Sequence, residues 1–252
     1  MLDDAACTGR LRRLLPDGPH TATVITSRGC LEDFSVATGA AVLALGALAP
    51  QAAVSLLART AGSARVRAEP AAAAEITAYC DGVPLALKLC GTRLALNPAW
   101  SLADSARELA DDRTRIAALD VDGSERMFNE LQRTRRLLSQ DGSRLLPLLG
   151  LHPEAAIDAT CAAALLGIDA RTARGALDSL AACHLTDETA PGLHTLRSLT
   201  RAYCARLLEQ EIPAEDRDAA TERLARHHCD PPRRVRALAA TADREPGARG
   251  AP

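Results

Sequence analysis

Cys80-Asp81-Gly82-Val83-Pro84-Leu85-Ala86-Leu87-Lys88 is the stretch from which the architecture of this chain unfolds. Asp81-Gly82 breaks a helix that starts near Pro70 and runs to Cys80, and Pro84 opens the next one, Leu85 to Leu96. Proline fits a first helical turn because its missing N–H would be unpaired there and its φ is already helical. Upstream, Pro50-Gln51-Ala52-Ala53 opens a helix that runs to Ala61 and stops at Gly62. Downstream, Asn97-Pro98 ends the Pro84 helix, and Ser101 caps a fourth with Leu102, Ala106 and Leu109 on one face. Four short helices joined by tight turns predict a small bundle over residues 46–124.

On either side the pattern changes. Residues 1–45 read as an α/β segment. Thr21-Ala22-Thr23-Val24-Ile25-Thr26 is short and β-branched, bounded by Asp17-Gly18-Pro19 and Arg28-Gly29, which predicts a buried strand. Val42-Leu43-Ala44-Leu45 is a second strand candidate, and Leu2 the end of a third. Within 125–208, Leu145–Leu149 is apolar, Ala159–Leu166 is helical up to Gly167, and Arg171–Cys183 is a second helix. Two short strands follow, at Leu185-Thr186 and Leu193-His194, and a closing helix spans 197–210. Helix, turn, helix and two strands is the order of a winged helix. Residues 209–252 read as a helical extension and a disordered tail, marked by Pro231-Pro232-Arg233-Arg234. The fold class expected is mainly α with a small α/β remnant.

Aromatic residues make up only 2% of the chain against 47% apolar, so the core falls to Leu, Ala, Val and Ile, which favours helix. A formal net charge of −2 gives the whole chain no electrostatic footprint for nucleic acid or anionic membrane. Eight cysteines are scattered without a C-x-x-C pair, and no secretory signal pattern opens the chain. A reduced cytoplasmic protein with small buried thiols is expected. No apolar run reaches the ~20 residues that span a bilayer. His227-His228-Cys229 lacks a partner cluster at ligand spacing, so no metal site is predicted there.

The chemistry sits in four separated places. A phosphate loop of the G-x-x-x-x-G-K-[ST] type needs a lysine after a glycine turn. Lys88 is the sole lysine, and no glycine loop leads into it. Leu2-Asp3-Asp4-Ala5 has the form of a strand tip carrying two acids, as a Walker B strand does. Thr26-Ser27-Arg28 ends a strand with a guanidinium, at the edge where α/β folds bind phosphates. Gly82-Val83-Pro84-Leu85-Ala86 and Leu193-His194-Thr195 complete the set.

In this order, these motifs resemble the NB-ARC family of STAND ATPases, in its bacterial regulator branch, over about residues 1–208. The resemblance implies a truncated P-loop NTPase sheet, a helical bundle and a winged helix that close together around ADP or ATP with Mg²⁺. It assigns Asp3 and Asp4 to the Walker B acids, with Asp3 as the Mg²⁺ ligand when a phosphate loop is present. Thr26 and Arg28 match the T-S-R sensor that reads the terminal phosphate. Gly82, Pro84 and Leu85 match G-L-P-L-A, with Val83 in a leucine position and the proline beside adenine and ribose. His194 matches the histidine of M-H-D, which bonds the ADP β-phosphate, and Thr195 departs from the family aspartate. The chain is expected to begin inside the Walker B strand, without the first strand, phosphate loop and following helix.

Three functions compete. The first is a nucleotide-responsive signalling regulator, part of a transcriptional regulator, binding ADP weakly and working through protein partners or self-association. The second is a winged-helix DNA-binding module or a nucleotide-independent interaction module. Direct DNA binding is disfavoured, because residues 150–205 hold Arg171, Arg174, Arg197 and Arg201 against Glu154, Asp158, Asp169, Asp178, Asp187 and Glu188. The third, an enzyme acting alone, lacks a local nucleophile–base motif, and without a phosphate loop independent ATP hydrolysis is not expected.

Overall fold

A computed structural model of the chain describes residues 1–5, 11–16, 20–29, 31–154 and 156–228. Helices dominate it. After α1 (Glu32–Thr38) and an extended stretch, the run from residue 50 contains α2 (Pro50–Ala61), α3 (Ser63–Ala68), α4 (Pro70–Tyr79), α5 (Pro84–Leu96), α6 (Leu102–Ala110) and α7 (Asp112–Ala118). Proline stands in the first turn of α2, α4 and α5, as the sequence indicated.

The expected four helices are six, and local stereochemistry accounts for both additions. Gly62 adopts φ 105°, which ends α2 and lets α3 restart at once. The Asp111 carboxylate accepts the Arg113 N–H at 2.9 Å and so caps a separate α7. The Ser101 cap is present and reciprocal. Ser101 Oγ accepts the Asp104 N–H at 3.0 Å, and an Asp104 oxygen accepts the Ser101 N–H at 3.3 Å. Glu69 closes the same helix start from outside, taking the N–H groups of Leu102 and Ala103.

α2 and α5 pack face to face, at a distance set by Gly91. A Cβ there would stand 1.9 Å from Thr60 Oγ1. Leu57, Ile76, Leu87, Leu94, Leu102 and Leu109 are sealed from solvent in this layer. An aliphatic core of this kind is what the shortage of aromatics required.

The second half holds α8 (Arg126–Arg135), α9 (Gln140–Leu148), β1 (Ala156–Asp158), α10 (Ala159–Leu166), α11 (Ala170–Ala182), β2 (Thr186–Ala190), β3 (Leu193–Leu196), α12 (Ser198–Glu211) and α13 (Ala214–His228). The strands form an antiparallel sheet in the order β1-β3-β2. His194 is the register residue at its middle, opposite Ile157 on one side and Glu188 on the other. Asp158 caps α10, Gly167 ends it with φ 69°, and Asp169 caps α11. One continuous apolar core runs through both halves, from Ala53 to Leu224.

Several expectations need correction. Thr21–Thr26 is not a buried strand. It makes a single parallel bridge, Leu2 with Ile25, and Val24 is 60% exposed. Val42–Leu45 forms no strand and is exposed, because among the described residues no partner strand lies beside it. The described sheet is therefore the antiparallel one around His194. Cys7, Asp17-Gly18-Pro19, Cys30 and residues 229–252 lie outside the described residues. Among the described residues, no helix is long and apolar enough to cross a membrane. Of the described cysteines, Cys80, Cys90, Cys183 and Cys204 are buried thiols, as expected, and Cys161 is half-buried.

Candidate functional site

The N-terminal acids and the sensor strand meet. Leu2 N–H donates to Val24 O at 2.8 Å, and Thr26 N–H returns to Leu2 O at 2.9 Å. This short ladder places the Thr26 hydroxyl between the two acids, where it donates to the Asp3 carboxylate and accepts the Asp4 N–H at 2.9 Å. Arg28 Nε reaches Asp4 at 2.8 Å, and its Nη1 reaches Glu130 on α8 at 2.6 Å. The hydrogen bond that Arg28 donates to Asp4 leads the effects that hold the guanidinium pKa above its ordinary value. Asp3, Asp4, Thr26 and Arg28 thus form one cluster, and Glu130 is a member the sequence reading missed. Its only signal was a carboxylate far along the chain, which no local pattern could connect.

The second cluster starts at the end of α4. Asp81 and Gly82 are successive left-handed residues, φ 51° and 63°. Their N–H groups close back on Ala78 O at 3.0 Å and Thr77 O at 3.1 Å. Gly82 is buried and accepts the Leu48 N–H at 3.0 Å. A Cβ at Gly82 would lie 2.7 Å from Leu48 O. Glycine is therefore required here twice, by conformation and by space. Pro84 occupies the first turn of α5 and is exposed, while Leu85 is half-buried. Beside Gly82 opens a groove of about 670 Å³ with walls from Leu48, Val54, Ala74 and Ala78.

Asp81 turns the other way. Its two carboxylate oxygens accept the N–H groups of Ser198 at 3.1 Å and Leu199 at 2.7 Å, the first residues of α12. The residue before α12 is Arg197, whose side chain provides no cap. A helix start without a local cap needs its donors satisfied from elsewhere, and Asp81 supplies that from the other half of the molecule. Burial raises the Asp81 pKa, with the two backbone hydrogen bonds opposing it. Arg115 on α7 reinforces the same junction. Its buried guanidinium donates to Ser198 O at 2.7 Å and to Ala110 O at 3.1 Å, and it pairs with Asp112 at 2.7 Å.

His194 stands on β3, just before this junction. It is 1% exposed, and its Nδ1 has no hydrogen-bond partner among the described residues. The Thr186 hydroxyl is likewise buried without a partner. Both side chains lie on one face of the sheet, since Thr186 opposes Leu196, two residues beyond His194. A buried ring nitrogen with no partner is costly and calls for an explanation. Nearby, Arg197 forks onto Asp187 at 2.6 and 2.7 Å, and that hydrogen bonding leads the effects that hold the Asp187 carboxyl below its ordinary range.

The predicted residues therefore fall into three groups: Asp3, Asp4, Thr26 and Arg28; Gly82, Pro84 and Leu85; and His194. The turn that holds Gly82 is tied through Asp81 to the start of α12, the helix that follows the His194 strand. Among the described residues, no hydrogen bond or ion pair links the first group to Gly82, Pro84, Leu85 or His194.

No family model matches the chain. It is similar to the regulatory protein AfsR of Streptomyces griseus, 32% identical over 225 residues, covering 89% of this chain and 23% of that protein. Against the regulatory protein AfsR of Streptomyces coelicolor it is 31% identical over 228 residues, again covering 89% of this chain and 23% of the relative. The chain is similar to a segment of the AfsR regulatory proteins. It spans about a quarter of the length of these curated relatives. A contiguous match of that size in a chain of 252 residues takes in both Asp81 and His194, so the junction lies within the AfsR-like stretch.

Proposed function

We propose that this chain is the switch segment of a nucleotide-responsive transcriptional regulator of the NB-ARC type. In this reading residues 1–45 belong to the nucleotide domain, 46–124 form the helical bundle, 125–208 form a winged helix and 209–252 extend it. The observation that carries the reading is the Asp81 clasp on α12. It joins the turn of the G-V-P-L-A segment to the helix that follows the His194 strand, and these are the segments through which a nucleotide would hold such a protein closed. The helix–turn–helix and hairpin order, β1-α10-α11-β2-β3, supports the winged-helix assignment.

The residues fit a nucleoside diphosphate in part. Nδ1 of His194 is a buried nitrogen awaiting a partner, which suits a phosphate oxygen. The groove beside Gly82 has an apolar wall suited to a base. Arg28, however, is already engaged by Asp4 and Glu130, so a phosphate must compete for it. Asp3 and Asp4 would hold Mg²⁺ only alongside a phosphate loop, and no hydrolytic step is assigned to this chain. A nucleotide biases such a switch only through contacts that differ between its two states. Here those contacts are Arg28, Pro84 and His194.

Two charge-assisted hydrogen bonds contribute about 1.5–3 kcal/mol each. The expected ADP affinity is correspondingly low, with Kd above roughly 100 µM. Calorimetry on the full chain tests this. Heat from ADP binding that falls away in His194→Ala supports the reading, and no binding at ten-millimolar ADP overturns it. DNA binding is not part of the proposal, and a salt-dependent gel-shift assay separates it from the winged-helix DNA reader.

A further inference from the structure

Asp158, Cys161 and His227 converge from three elements at a place the nucleotide reading does not use. Asp158 ends β1, Cys161 lies in the first turn of α10, and His227 lies near the end of α13. Each offers a ligand atom, and the three atoms lie within 4.8 Å of one another. From sequence, His227 had no partner cluster. The fold provides one by packing α13 on α10, where Arg223 also holds the carbonyls of Ala164 and Leu165 at 2.9 and 2.7 Å.

We propose that Asp158, Cys161 and His227 form a binding site for a zinc-class divalent ion that fastens α13 to the β1–α10 corner. The donor set is one thiolate, one imidazole and one carboxylate. That mixture suits a borderline-soft ion such as Zn²⁺ or Co²⁺ and disfavours Mg²⁺ and Ca²⁺, which take oxygen ligands. An ion at the centre of a triangle with sides of 4.8 Å would sit about 2.8 Å from each corner. Zinc bonds of about 2.0–2.3 Å then require each donor to close by well under 1 Å, within reach of side-chain rotation. The Asp158 carboxylate is already oriented, because its Oδ1 accepts the N–H groups of Thr160 at 2.9 Å and Cys161 at 2.8 Å. The Thr160 hydroxyl also donates to that oxygen, at 2.5 Å, and the Cys161 thiol is in hydrogen-bonding contact with the same carboxylate, so thiol and carboxylate already face each other where the ion would sit. Three protein ligands leave the fourth tetrahedral position to water.

Binding replaces the Cys161 S–H bond with an S–metal bond and releases one proton to solvent. Because the thiol must give up its proton to bind, affinity rises with pH across the neutral range.

The test is a cobalt titration of the full chain kept reduced with a phosphine. One equivalent of Co²⁺ is expected to give a thiolate-to-cobalt charge-transfer band and tetrahedral visible bands, both erased by added Zn²⁺. Cys161→Ser removes the charge-transfer band, and His227→Ala lowers affinity at least tenfold. Asp158→Asn keeps an oxygen to cap α10 and so preserves helicity by circular dichroism, yet also lowers affinity at least tenfold. The site is refuted by the absence of a charge-transfer band in the parent chain. It is refuted equally by a band that survives Cys161→Ser and disappears in Cys229→Ser.

Discussion

Asp81 has a left-handed backbone and gives both carboxylate oxygens to the start of α12. Replacing a capping side chain by alanine costs about 0.5–2 kcal/mol. Asp81→Ala is expected near the upper end, since alanine also tolerates the positive φ poorly. Asp81→Asn keeps an acceptor oxygen and the tolerance for that backbone, so it loses much less. Urea melts of both variants check this. The same residue sets a pH signature. Its raised pKa means the native state holds the proton more tightly than the unfolded chain. Its contribution to stability therefore falls as pH rises from the ordinary aspartate range through the raised value, and is flat above. Asp81→Asn should remove that slope from urea midpoints measured across the acid range. At the neighbouring position, Gly82→Ala combines a left-handed φ with a Cβ 2.7 Å from Leu48 O, and should cost about 2 kcal/mol or more. Gly82 was legible in the sequence as a turn glycine. Asp81 as a clasp was not, because its partners lie 117 and 118 residues away.

Elements with their own punctuation were the readable ones. Pro50, Pro70, Pro84 and Ser101 each mark a helix start that the structure contains, and Gly167 marks an end. Elements whose existence depends on neighbours were misread. Val42–Leu45 has strand-like composition but no described partner, while Ala156–Asp158 is too short to alternate and becomes a strand only by pairing with β3. α7 escaped because its start is marked only by the Asp111 cap, directly after α6, and its packing rests on the buried Arg115. Arg115 is the test of that element. It satisfies the carbonyls of Leu109, Ala110 and Ser198 and pairs with Asp112. Asp112 is about a third exposed, so the main loss is the pairing of these carbonyls, which costs about 1–3 kcal/mol when acceptors are left unsatisfied. Arg115→Ala should reach that range in thermal or urea unfolding, and a loss below 1 kcal/mol would show that α7 and α12 hold together without it.

Across the whole molecule, the candidate site was legible as a set of motifs but not as a geometry. The short-range pairings, Asp3 and Asp4 with Thr26 and Arg28, follow from one strand bridge. The long-range one, Asp81 with the start of α12, depends on how α7 and α12 pack, and no local spacing encodes that. The engagement of Arg28 by Glu130 yields a prediction at this scale. Glu130→Gln removes a competing charge from the guanidinium, and ADP affinity measured by calorimetry should rise by roughly two- to tenfold, equivalent to about 0.4–1.4 kcal/mol. A lower affinity in that variant would mean that Glu130 supports the phosphate-reading geometry and does not block it.

The proposed switch requires a nucleotide phosphate to bond Nδ1 of His194, which has no hydrogen-bond partner among the described residues. Nuclear magnetic resonance of the chain labelled with ¹⁵N-histidine reads this directly during an ADP titration, with His194→Ala assigning the signal. The His194 Nδ1 resonance is expected to move toward a hydrogen-bonded shift and to saturate with a midpoint above roughly 100 µM. A resonance that stays fixed to ten-millimolar ADP would contradict it, and His194 would then be a core histidine of a nucleotide-independent module.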